Sequence, residues 1–173
     1  MSGITQPLIS EMEQEAKATR RVLERVPADK LEWQPHPKSM SLGQLALHVA
    51  TIPGRITLLA KSDGFNAATA SFTPPQPQSA DEFLPALDAG LAEAASFLGG
   101  LADEDATAPW RLTHGEREVF TIPRVGVIRT LLLNHWYHHR GQLLVYLRLL
   151  DVPVPVVYGR SADENPFADA VKV

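Results

Sequence analysis

Three of the six histidines in this 173-residue chain lie within five residues, in the segment "NHWYHHRGQ". The apolar residues around this segment recur with the period of a helix. His135 and His139 are four residues apart, so a helix places both on one face. Two histidines at this spacing are an established pair of metal ligands in zinc metalloproteases. The segment therefore indicates metal chemistry.

A further histidine, His48, interrupts the apolar run "LGQLALHVATI" at a position that faces the core of another predicted helix. A neutral imidazole carries one donor and one acceptor, and burying three unpaired imidazoles costs several kcal/mol. One divalent cation would satisfy His48, His135 and His139 together, and three histidines with an open position are typical of a catalytic zinc site. Without a metal, the three rings would bond to each other and to water.

The residues beside the pair leave several roles open. His138 lies toward the edge of the histidine face. Three roles are open for it: contact with a ligand histidine, contact with substrate, or no role beyond that of an edge residue. Three roles are also open for Arg140: it binds an anionic group of a ligand, it pairs with an acidic side chain, or it is a solvated residue on the helix surface. Gln142 falls on the face of His135 and His139, so we expect it to orient one of them through a hydrogen bond. A glycine inside a helix, such as Gly141, lowers stability by about 1 kcal/mol relative to alanine. A close contact with another helix, which only glycine would allow, would explain its presence.

The elements that must position these residues are mostly helices. End signals and periodicity predict helices over residues 6–26, 41–59, 79–100 and 123–150. Ser41 is the predicted N-cap of the second helix, and Ser79 with Glu82 forms a capping box for the third. Pro53 is expected to kink or split the second helix. His36 and His114 lie in proline- or glycine-marked segments and are expected at the surface.

The remaining segments connect these helices. Residues 62–78 are small, polar and rich in proline, which favours a loop. The stretch "WRLTHGEREVF" predicts a small hairpin or an irregular loop. The tail "DVPVPVVYGRSADENPFADAVKV" is expected to be extended and packed in part through its valines and Tyr158. Together these features predict an all-α fold, in which residues 1–173 form a single domain. The predicted architecture is a four-helix bundle with a long crossover loop and an extended C-terminal tail.

Composition limits the classes of partner. The chain has no cysteine, a net charge of −4 and a pI near 5.8. Its arginines and lysines are scattered, which argues against nucleic-acid binding. No signal peptide is visible, and no apolar run approaches the roughly 20 residues of a membrane span. We therefore expect a cytoplasmic protein that does not bind a membrane and acts on a small molecule.

Three quoted segments carry a family resemblance. "SLGQLALHVA", "NHWYHHRGQLLVYLR" and "VPVPVVYGRSADE" resemble the DinB-like family of metal-dependent proteins, which is unrelated to the DNA polymerase of the same name. The resemblance extends from the first helix to about Pro166. It implies a four-helix bundle, a homodimer, and zinc, nickel or a similar divalent ion held by His48, His135 and His139. Related members resemble S-transferases that use low-molecular-weight thiols, and others resemble hydrolases.

The leading hypothesis is therefore a metal-dependent enzyme with a three-histidine site. Thiol transfer is favoured over hydrolysis because no general base is evident, and the thiol must come from outside a chain without cysteine. Asp163 and Glu164 either fold over the site or cap a loop. The alternatives are a metal-dependent hydrolase and a non-catalytic protein that binds or senses a metal.

Overall fold

The computed structural model describes residues 3–167, in which helices predominate. Three long helices come first and a short one follows them. A helical segment with a central π-helix, Ile128–Asn134, comes last. The α-helices are α1 (Gln6–Leu23), α2 (Leu42–Lys61), α3 (Phe83–Gly100), α4 (Asp103–Thr107), α5 (Arg124–Val127) and α6 (His135–Leu149). Single 3₁₀ turns span Ala28–Lys30, Ala67–Thr69 and Ala80–Glu82.

A small sheet lies beside the helices. Its strands are β1 (Gly64–Asn66), β2 (Pro109–His114) and β3 (Arg117–Pro123), in the order β1-β2-β3. β1 runs parallel to β2, and β2 and β3 form an antiparallel hairpin. Gly115 in its turn has φ +62°, a conformation that glycine adopts without steric cost. The predicted hairpin is therefore present, but β1 was not predicted, because three residues inside a polar loop carry no alternating pattern.

The helix ends follow the local signals closely. Ser41 Oγ accepts from Gln44 N, and Gln44 Oε1 accepts from Ser41 N, which satisfies two donors at the start of α2. α3 ends at Gly100, as predicted. α1 ends at Leu23 rather than residue 26. Pro27 disfavours helical backbone at the residue before it, so the helix ends earlier than predicted.

Pro53 does not split α2, which is continuous from Leu42 to Lys61. Proline has no N–H, so the carbonyl of Val49, one turn earlier, loses its helical donor. The indole Nε1 of Trp136 donates to this carbonyl at 2.9 Å, within the core. The bond joins α2 to α6 immediately beside His48 and His135.

α2 and α3 approach each other closely at two glycines. A Cβ on Gly90 would lie 2.8 Å from the Gly54 nitrogen, and a Cβ on Gly54 would lie 2.9 Å from the Gly90 Cα. Any side chain at either position would therefore push the helices apart. Gly141, by contrast, is exposed, and a Cβ added to it would meet no atom within 4 Å. The close helix contact expected at Gly141 is wrong.

The π-helix changes which face of α6 enters the core. Ile128 and Leu132 are buried, and a regular heptad that starts from them would continue through His135, His139 and Gln142. The buried positions of α6 are instead Trp136, Arg140, Leu143 and Leu147. A π-helix has more residues per turn than an α-helix, so it rotates the following helix relative to a regular heptad. As a result, the helix face that carries His135 and His139 lies half-buried at the edge of the core, and Gln142 on the same face is exposed.

The all-α prediction is thus correct for the dominant structure and incomplete at the sheet. Long helical segments pack around the apolar core, as predicted, while the precise class of four-helix bundle stays a prediction. The long connection after α2 is present, although it contains β1 and a 3₁₀ turn. In the tail, Val152, Val154 and Val157 pack against the core, whereas Tyr158 is 73% exposed. Residues 168–173 of the predicted tail lie outside the described residues.

Candidate metal centre

Three histidines from two helices meet at one point. His48 comes from α2, and His135 and His139 come from successive turns of α6. One ligand nitrogen from each ring lies within 4.8 Å of the others. The ring centroids are 5.1 Å apart for His48 and His135, 4.5 Å for His48 and His139, and 4.6 Å for His135 and His139. The rings meet edge to face, so that their nitrogens converge instead of the rings stacking.

The nitrogen–nitrogen distance between His48 and His135 suits a shared cation. His48 Nε2 lies 3.2 Å from His135 Nε2. Two nitrogens bound about 2.0–2.1 Å from one tetrahedral zinc ion lie about 3.3 Å apart. The same distance suits a hydrogen bond between two neutral rings of opposite tautomer. The donor set, its spacing and its partial exposure therefore fit a divalent ion.

The protonation of the three rings also favours a cation. Burial, followed by the charges of His139, His135 and Arg55, lowers the pKa of His48 to about 4. Burial is also the main reason that the pKa of His139 is lowered to about 4, although its hydrogen bond to Gln142 opposes the shift. Burial lowers the pKa of His135 as well. All three rings are consequently neutral at pH 7, the form that binds metals.

Gln142 orients one of these rings. Its Oε1 lies 2.7 Å from His139 Nδ1, so this nitrogen donates and leaves Nε2 with a free lone pair. Such a bond fixes both the tautomer and the ring plane of a ligand histidine. The contact expected from the sequence is therefore present, although Gln142 is exposed rather than in a core seam.

His138 and Arg140 differ in their distance from this chemistry. His138 is exposed, with its ring centroid 4.9 Å from that of His139. Arg140 is only 2% exposed and points to the α1 side of α6, where it pairs with Glu15 at 2.6 Å. It also donates to Thr19 Oγ1 and to the Tyr158 hydroxyl. Of the three roles considered for Arg140, pairing with an acid is the one observed, and it joins α1, α6 and the tail.

A largely apolar cavity of about 320 Å³ opens beside the histidines. His48 and His135 line one part of it, and Arg55 lines another. The other lining residues are Ile52, Ile56, Leu59, Phe65, Ala70, Ser71 and Phe72. No Asp or Glu of the described residues is among them. Arg55, Phe65 and Phe72 were not predicted as site residues, because only the fold brings β1 and the crossover loop to α2.

The tail acids are held away from the cavity. Asp163 pairs with Arg148, and Glu164 pairs with Arg21 and Arg25. Asp163 also accepts from Val154 N, and Glu164 accepts from Val156 N. Ser161 Oγ accepts from the backbone N–H groups of both acids. These bonds describe a capped loop, the second of the two arrangements considered for the tail.

Comparison with solved structures shows where this fold recurs. A DinB-like protein from Bacillus cereus is 24% identical with a TM-score of 0.61, and the match covers 87% of this chain and 95% of that chain. A DinB-like protein from Bacillus subtilis is 16% identical with a TM-score of 0.64, covering 87% and 96% respectively. A protein from Exiguobacterium sibiricum is 20% identical with a TM-score of 0.65, covering 90% and 97%. At these identities the likeness concerns the fold alone.

The remaining comparisons concern the sequence and its helices. None of the curated proteins matches the chain. Among residues 3–167, no helix combines the length and apolar character that crossing a membrane requires. A model of the DinB family matches residues 1–166, nearly the whole sequence. Together with the DinB-like fold and the meeting of His48, His135 and His139, this match shows that the chain belongs to the DinB family.

Proposed function

We propose that His48, His135 and His139 bind a divalent metal ion, zinc or nickel, and that the protein is an enzyme. In the proposed reaction, the sulfur of a low-molecular-weight thiol gives up its proton and forms a bond to an electrophilic carbon of a small-molecule acceptor, from which a leaving group departs with its electron pair. The observation that carries the proposal is the convergence of three neutral imidazoles beside a cavity large enough for a ligand. A divalent ion held there would act as a Lewis acid that lowers the pKa of a bound thiol.

The surrounding residues support thiol transfer over hydrolysis. A hydrolase needs a general base near the attacked bond, and no described Asp or Glu lines the cavity. Three neutral histidines add no negative charge, which favours an anionic sulfur at the site. The thiol must come from outside, because the chain has no cysteine. Apolar side chains along the cavity limit the water that competes with the acceptor.

Elemental analysis of protein purified without a histidine tag tests the metal site. We expect close to one zinc or nickel per chain. The cobalt-substituted protein then tests the reaction, because a thiol sulfur bound to cobalt gives an intense near-ultraviolet band. A bacterial thiol, such as a cysteine-capped sugar thiol, should produce this band in the native sequence and fail to do so in His139→Ala.

Other outcomes would overturn parts of the proposal. Cleavage of an ester or amide panel that is lost in His139→Ala, without the sulfur band, would identify a hydrolase. Bound metal with neither signal would identify a non-catalytic protein that binds or senses the metal. Absence of metal under all loading conditions would leave the histidines bonded to each other and to water.

We also propose a homodimer. Val145 and Leu149, one turn apart on α6, are each 58% exposed and form an apolar strip that a second copy would cover. Light scattering should give about twice the 19.0 kDa chain mass. Val145→Glu should shift the mass to that of one chain, and a single-chain mass for the native sequence at micromolar concentration would contradict the dimer.

A further inference from the structure

We propose that the cavity beside the histidines binds a mostly apolar small molecule with a carboxylate or similar anionic group, and that Arg55 binds this group. The identification of this molecule as the acceptor in the sulfur transfer rests on the proposed function. The binding itself is a separate claim, because it depends on Arg55 and the cavity walls.

The cavity walls determine the body of the ligand. Ile52, Ile56 and Leu59 of α2 form one side, Phe65 of β1 adds an aromatic ring, and Phe72 of the crossover loop adds another. The volume of about 320 Å³ is near the lower end of the range for small-molecule sites. These walls suit an aryl or short alkyl body.

Arg55 determines the charge of the ligand. It is exposed, and no carboxylate of the described residues lies within 4.0 Å of its guanidinium nitrogens. Most arginines in residues 3–167 do pair with an acid: Arg20, Arg21, Arg25, Arg111, Arg124, Arg129, Arg140 and Arg148. A guanidinium binds a carboxylate through two parallel hydrogen bonds. Arg55 also borders a neighbouring groove that contains Glu93, but Glu93 pairs with Lys61. Arg55 therefore offers the edge of the cavity a cation that forms no ion pair with a described carboxylate.

The placement of Arg55 determines the length of the ligand. His48, Ile52, Arg55 and Leu59 recur at helical spacing, which puts them on one side of α2. Arg55 is seven residues beyond His48, about 10 Å along the helix axis. An anionic group at Arg55 and a reacting carbon beside the histidines are thus separated by the apolar wall. An elongated arylalkyl carboxylate, with its acid at one end, matches this arrangement.

Calorimetry with 4-phenylbutanoate and its neutral amide tests the inference. Metal-free protein is used first, so that no ion can bind the carboxylate. We expect the carboxylate to bind at least about tenfold more tightly than the amide, a difference of about 1.4 kcal/mol. Arg55→Gln should abolish this preference, and Arg55→Lys should keep part of it. Arg160→Gln, which removes the same charge from an exposed arginine outside the cavity, should bind as the native sequence does.

Three results would overturn the inference. The first is equal binding of the acid and the amide by the native sequence, and the second is an unchanged preference in Arg55→Gln. Binding that occurs only after zinc loading and survives Arg55→Gln would place the carboxylate on the ion and also exclude Arg55 as its partner. Metal content is measured on the same samples, so failure of the metal site is seen independently of carboxylate binding.

Discussion

Trp136 donates its indole N–H to the Val49 carbonyl at 2.9 Å, and this carbonyl is the one that Pro53 deprives of its helical donor. The bond is buried and joins α2 to α6. Val49 follows His48, and Trp136 follows His135. Pro53 thus leaves the Val49 carbonyl of α2 without its helical donor, and Trp136 of α6 supplies a donor instead. On each helix, the bonded residue is the neighbour of a histidine of the site.

Trp136→Phe should lower the free energy of unfolding partly by leaving the Val49 carbonyl without a donor, at a cost of about 1–3 kcal/mol. In a Pro53→Ala background, the backbone N–H that the substitution restores can donate to the same carbonyl, so Trp136→Phe should cost less. Urea denaturation of the four proteins gives the coupling, and the loss of ring volume cancels between the two backgrounds. Equal costs in both backgrounds would show that the two sites are independent.

Alanine at His48, His135 or His139 should each remove most of the bound metal while the helices remain. The core of apolar residues does not depend on these half-buried rings, unlike a zinc finger that folds only with its ion. Metal analysis and far-ultraviolet circular dichroism on the same samples measure both quantities. His36→Ala is the control, because His36 is exposed in a loop. Near-stoichiometric metal in any of the three variants would contradict its role as a ligand.

Gln142→Leu should weaken metal binding by about 10–100-fold, the usual effect of losing the partner of a ligand histidine. The affinity would fall because the His139 ring is no longer held in one tautomer. Gln142→Glu keeps an oxygen acceptor at this position and should retain tight binding. Competition with a chromophoric chelator measures these affinities. A Leu variant with unchanged affinity would show that the hydrogen bond does not orient the ring.

Metal-free protein should lose stability as the pH falls from about 6.5 toward 4. Histidine titrates near 6.5 in an unfolded chain, whereas the pKa values of His48 and His139 are lowered to about 4 in the folded protein. Between these values the unfolded state binds more protons than the native state, so the free energy of unfolding decreases with falling pH. Above about pH 6.5 both histidines are neutral in the folded and the unfolded state, so their contribution to the free energy of unfolding no longer changes with pH.

Denaturant melts at each pH measure the effect. Asp163 and Glu164, whose pKa values are lowered by their hydrogen bonds, lose their contribution only at more acidic pH. The interval from about 6.5 to 5 therefore isolates the histidines. The double variant His48→Gln and His139→Gln should flatten the curve in this interval. A curve with the same slope as the native sequence would contradict the assignment.

Two glycines in helices should respond to alanine in opposite directions. Gly90→Ala places a Cβ 2.8 Å from the Gly54 nitrogen, so it should lower stability by about 1–3 kcal/mol. Gly141→Ala meets no atom within 4 Å and should raise stability by up to about 1 kcal/mol through helix propensity. Thermal unfolding followed by circular dichroism compares them, and a shift of the same sign in both variants would contradict the packing described at Gly54 and Gly90.

The sequence by itself determined the features that depend on neighbouring residues. Ser41 with Gln44 closes a capping box, Gly100 ends α3, and the His135/His139 spacing places both rings on one face, because each depends on backbone within about one helical turn. The family resemblance assigned the same three histidines, and His48 also stood out as a polar residue in an apolar run.

The tertiary structure decided how these local features combine. His48 and His135, 87 residues apart in the chain, come within 3.2 Å only because α2 packs on α6. The π-helix rotates α6, so Arg140 enters the core and the histidines face a cavity, a change that heptad counting does not detect. β1 and the crossover loop complete this cavity around Arg55. Such long-range contacts depend on packing among many side chains, so no local pattern specifies them.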